Sequence, residues 1–144
     1  MSGFKIPPLR QILQLTKGRG DLHEYCDFGC QEEAVDQMIT KAKEIYPNKP
    51  YCVVGQWTWA DLMISSEQKQ KLADESGVQP SFIYSDYIFQ DNAGRYKRGN
   101  WVRSTLLVEF HSPAIFCTKN TSYILVGTGS RISVDTSFFT SFTS

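Results

Sequence analysis

Long apolar runs are missing from this chain: none of its 144 residues belongs to a purely apolar stretch of more than four. A bilayer-spanning helix needs ~20, so no membrane partner is expected. The first twenty residues are basic but lack the apolar core of a signal peptide, which makes the cytoplasm the expected location. Histidine is scarce, with His23 and His111 alone, and four cysteines are too few for a disulfide framework at this length. Net charge is absent as well, since 15 basic residues balance 15 acidic ones. A broadly basic duplex-binding surface is therefore excluded, and no repeat of solenoid period is present. What remains is 41% hydrophobic, 13% aromatic and 21% charged, the make-up of a globular protein. One domain over residues 1–135 is expected, followed by a tail, 136–144, built mainly of Ser, Thr and Phe.

Charge cancels only in total. Residues 1–20 carry Lys5, Arg10, Lys17 and Arg19 with no acid, whereas residues 21–46 are strongly acidic and residues 95–144 basic again. Such segregation predicts a dipolar surface suited to a charged partner. Leu9, Ile12, Leu13 and Thr16 form a short stripe at helical spacing. A helix is expected over 31–46, where Val35, Met38, Ile39, Ala42 and Ile45 recur at three and four. A second runs from a Ser65 or Ser66 cap, with Gln68 placed for a capping box, to about Ser76 before Gly77; its few apolar residues predict a solvent-facing helix. Residues 51–59 are rich in β-branched and aromatic side chains and read as a strand. Beyond residue 81 the period falls to two, giving strands at 82–90, 101–111, 114–118, 121–126 and 131–134 separated by short turns. The fold expected is α+β: an antiparallel meander of about five strands with two to three helices packed on one face.

Several groups invite chemistry. His23, Cys26 and Cys30 fall within eight residues, and with Cys52 or His111 as a fourth ligand they would make a zinc site. The spacing matches no common zinc module, so no metal and no cofactor is expected. Cys117 and His111, with Glu109 beside them, could form a nucleophile–base pair on adjacent strands. Cys117 sits in an ordinary strand, however, with no helix N-terminus to activate it. Cys52 and Cys117 both read as buried thiols, and the segment 127–131 reads as a hairpin turn. The segment 95–103 stands out. Arg95, Lys97, Arg98 and Arg103 interleave with Tyr96 and Trp101, a combination that anchors protein interfaces and also grips single-stranded nucleic acid. A solvated hairpin loop with Trp101 folded back is the plain alternative.

Four strings carry a resemblance: Tyr46-Pro-x-Lys-Pro-Tyr-Cys-Val-Val54, Trp57-x-Trp-x-Asp-Leu62, Gly99-Asn-Trp-Val-Arg-Ser-Thr-Leu-Leu107 and Asn120-Thr-x-Tyr-Ile-Leu-Val-Gly127. Over residues 30–135 the chain resembles a small uncharacterised domain family of gammaproteobacterial chromosomes and prophages. That likeness implies a bacterial, phage-linked protein and transfers no activity. The function expected is that of a non-enzymatic binding protein occupying a partner protein's surface through Arg95, Tyr96, Lys97, Arg98, Trp101 and Arg103, with inhibition of a host defence complex, in the manner of anti-CRISPR proteins, as one form. Single-stranded nucleic-acid binding is the alternative, and a cysteine- or zinc-dependent enzyme the third reading.

Overall fold

The computed structural model describes residues 28–136 and the backbone of residues 23–26. The helical stripe within residues 9–16 and the tail beyond Thr136 lie outside the described residues. The described chain runs β1 (His23–Cys26), a single 3₁₀ turn (Glu32–Ala34), α1 (Val35–Ile45), β2 (Tyr51–Leu62), α2 (Ser66–Ser76), β3 (Ser81–Asp91), β4 (Val102–Arg103), β5 (Leu107–His111), β6 (Ile115–Thr118), β7 (Ser122–Leu125) and β8 (Gly129–Val134). The fold is α+β, and no described helix is long and apolar enough to cross a membrane.

The two helices form where the sequence predicts them. In α1, Ala42, Met38 and Tyr46 cover Ile115 and Cys117. Pro47 follows directly and bars the preceding residue from helical backbone, so Tyr46 turns out at φ −133° and ψ 78°. The α2 helix begins at a complete capping box between Ser65 and Gln68, ends at Gly77 and buries none of its residues. It is the expected solvent-facing helix, with Leu72 half-buried beside Leu62 and Leu106.

The sheet corrects the antiparallel meander. It is mixed and has eight strands among the described residues. The organising element is β2, buried along almost its whole length, as a central strand covered on both faces must be. Its one edge takes β3 antiparallel throughout. Its other edge is shared by two strands running parallel to it: β7 pairs with Tyr51–Val54 and β8 with Thr58–Leu62. The segment 127–131 is therefore no hairpin turn, because β7 and β8 lie end to end along one edge. The kink between them falls at Gln56, whose φ of 44° puts it in the left-handed region.

The predicted strand 101–111 is two strands. The β3 ladder ends at Ser104, which still donates its N–H to the Ile83 carbonyl but accepts the Ile83 N–H on its hydroxyl in place of its carbonyl, and a register shift follows between Leu107 and Glu109. Because β4 pairs with β3 and β5 with β6, which reaches β2 through β7, the pairings return on themselves. A bridge from Gln79 to Leu107 completes a small barrel-like ring. Trp57, Trp59, Ile83, Val102, Phe116 and Ile124 belong to its main core. Alternation along β2 and β3 places Ala60, Leu62, Phe82 and Tyr84 in a second cluster with Ile132 and Val134.

Candidate functional site

The loop between β3 and β4 is fixed from its first residue. The side chain of Asp91 is fully buried and accepts the backbone N–H groups of Arg95 at 2.7 Å and Tyr96 at 3.1 Å. It also takes the Arg95 guanidinium, with Nη2 2.9 Å from Oδ1. Burial pushes this carboxyl's pKa up, but the Arg95 hydrogen bonds and charge outweigh that and hold it below the usual aspartate range. Arg95 in turn reaches across to Thr121 Oγ1 at 2.9 Å, tying the loop to the turn before β7.

The six residues singled out from sequence divide accordingly. Arg95 and half-buried Tyr96 belong to the clamp. Arg103 is half-buried in β4, donates Nη1 to the Ser104 carbonyl at 2.9 Å, and has its pKa lowered by burial. Lys97 and Arg98 are exposed. Arg98 lies over the rings of Tyr87 and Phe89, 5.9 and 5.7 Å from their centroids, with Nε bonded to the Tyr87 hydroxyl. Trp101 is 40% exposed and rests on Tyr84 with ring centroids 5.9 Å apart.

Sequence reasoning missed the company this loop keeps. Because β2 and β7 are parallel, their first residues, Tyr51 and Ser122, lie side by side; the last residue of β3 joins them through antiparallel pairing with Cys52. Three segments far apart in sequence thus meet at one pole. Lys43, Lys49 and Asn92 line one notch there, and Lys49 and Lys119 line another across the link 47–50. Lys49 Nζ stands 4.0 Å from the Tyr46 ring centroid and bonds the Thr118 carbonyl at 2.7 Å, while Lys43 lies 5.5 Å from the Tyr51 ring. Among the described residues none of Lys43, Lys49, Lys97, Arg98 and Lys119 has an acidic partner within ion-pair distance. The nearby acids are paired first with other groups: Asp91 holds Arg95, and Glu109 accepts the Tyr46 hydroxyl and faces His111 Nε2 at 3.2 Å, with Lys49 attracting it from farther off. Those contacts keep the Glu109 pKa below its ordinary value, the Tyr46 bond foremost.

Cys30, Cys52 and Cys117 are free and buried. Cys117 Sγ lies 3.8 Å from Ser122 Oγ, and burial raises its pKa; burial also pushes Cys52 up to about 12. A thiol held protonated in this way is a poor nucleophile. No three His, Cys, Asp or Glu residues among those described gather as a metal site, and the side chains of His23 and Cys26 lie outside them. At the far end of β2, Asp61 accepts Arg131 Nε at 2.7 Å, Ser81 Oγ at 2.7 Å and Trp59 Nε1 at 3.0 Å. This cluster borders a polar groove of about 810 Å³, which the sequence reading also missed.

The four strings that carried the resemblance cover the 47–50 link and β2, the end of the β3–β4 loop through β4 to the start of β5, and β7 with its flanks. A family described as a domain of unknown function, DUF6957, matches residues 27–141. The chain belongs to that family. No curated protein and no solved structure matches the chain.

Proposed function

We propose that this DUF6957 domain is a non-enzymatic binding protein that occupies the surface of a partner protein through the β3–β4 loop. Lys97, Arg98 and Trp101 make the contact; Arg95, Tyr96 and Arg103 hold the loop in shape. The observation that carries the reading is the Asp91 clamp, which fixes the loop backbone while leaving Lys97 and Arg98 exposed. A loop ordered before binding loses little conformational entropy on association, and arginine and tryptophan are among the side chains most enriched at interface hot spots. Single-stranded nucleic acid fits less well, because it needs successive open rings for its bases. Tyr87 and Phe89 already carry Arg98, and Tyr46 carries Lys49. The phage-linked, host-inhibiting form of this function rests on the family resemblance alone.

The test is recovery of a protein partner by tagged wild type and by a Lys97→Glu/Arg98→Glu/Trp101→Ala variant. Loss of two charges and an anchoring ring is expected to lower recovery at least about tenfold. Equal recovery of the same partner by both would end the assignment.

A further inference from the structure

The notches beside the loop extend this reading. Resting on it, we infer that the partner presents an acidic protein segment, and that its footprint spans the whole basic pole: Lys43, Lys49, Lys97, Arg98 and Lys119. These cations come from α1, the 47–50 link, the β3–β4 loop and the β6–β7 turn. Parallel pairing of β2 with β7 joins the link to the turn, Lys43 lines a notch with the link, and the loop starts beside them where Asp91 pairs with Cys52. Among the described residues none of the five is held by a carboxylate at ion-pair distance, whereas Arg95 within the same loop is held by Asp91. A cluster of cations without close ion pairs attracts a negative surface and steers its approach.

Two details favour a peptide-like acid over a nucleic acid. Lys43, Lys49 and Arg98 each lie over a tyrosine ring, which pre-positions the charges and leaves those rings engaged. The notches on either side of the 47–50 link measure about 350 and 450 Å³, room for carboxylate side chains. Asn92 borders the first and Asn120 the second, adding side-chain amides beside the charges.

The experiment measures fluorescence anisotropy of a labelled peptide of about ten glutamates against the full chain, at about 50 mM and again at about 500 mM salt. An oligothymidylate of equal length serves as the competing probe. Wild type is expected to bind the peptide, and high salt to weaken that binding steeply. Lys43→Glu/Lys119→Glu and Lys97→Glu/Arg98→Glu are each expected to weaken it about tenfold, with Lys43→Gln/Lys119→Gln intermediate and all melting temperatures unchanged. If the loop variant weakens binding and neither notch variant does, the extended footprint is overturned while the loop reading stands. Absence of peptide binding, or tighter binding of the oligothymidylate, overturns the acidic segment. In that case recovery of a protein partner, tested separately above, still decides the loop reading.

Discussion

Trp57→Ala is expected to cost about 3–5 kcal/mol of folding stability, a large share of the 5–15 kcal/mol typical of a domain. Urea denaturation followed by far-ultraviolet circular dichroism measures it. The indole is 1% exposed and sits where the shared edge of β2 changes hands, between the last pair with β7 at Val54 and the first with β8 at Thr58. Its Nε1 donates to the Gly127 carbonyl at 3.1 Å, in the link between those two strands. A Cβ on Gly129 would lie 2.5 Å from the ring, and one on Gly29, at φ +118°, would lie 2.1 Å from the Gly127 oxygen. Only glycine lets both backbones approach so closely, so the indole, the 127–129 link and the segment before α1 form one packed unit. Truncating the ring removes its buried surface, leaves a cavity and strands the Gly127 carbonyl. A loss below about 1 kcal/mol would mean that the fork in the sheet does not depend on this side chain.

Asp91→Asn is expected to lower stability by about 1–3 kcal/mol at neutral pH. The figure is held down because Arg95 is 34% exposed, so solvent screens part of the pairing. The substitution keeps the shape but removes the charge that orders the loop. The sign of the pH effect follows from the lowered folded pKa of Asp91. An unfolded aspartate titrates near about 3.9, so the stabilisation is complete above that value and is lost as pH falls toward the lower folded one. Wild type and variant should therefore converge in urea midpoint below about pH 4 and differ most at pH 7. A gap that persisted undiminished in acid would show that the carboxylate's charge is not what holds the clamp. The same variant loosens the loop without touching Lys97 or Arg98, and so should weaken partner binding through lost order.

Much of the scaffold was legible because the signals were local. The spacing of Met38, Ile39 and Ala42, the Ser65–Gln68 box and the turn at 91–94 each depend on residues within one turn of chain. Pairing direction is not local. Nothing in the segment 127–131 distinguishes a hairpin from two strands laid end to end, since what decides is the bulk of Trp57, seventy residues away. The interruption of 101–111 was hidden for a similar reason: the Ser104 hydroxyl takes the Ile83 N–H in place of the Ser104 carbonyl and ends the pairing with β3. The candidate site follows this pattern. Its loop was visible as an unusual mixture of cations and rings, and the turn residue Asp91 was visible too, but not that its carboxylate would claim Arg95. Lys43, Lys49 and Lys119 could not be grouped with the loop from an antiparallel reading, because only the parallel placement of β7 on β2 puts their segments at one pole.

The most direct measurement is a titration of ¹⁵N-labelled chain with the glutamate peptide, followed by amide chemical shifts. Engagement at the basic pole predicts that the perturbed amides fall in the last turn of α1, in 47–51, in 92–101 and in 118–121. Shifts centred instead on the groove around Asp61 and Arg131, or spread evenly over the surface, would contradict it.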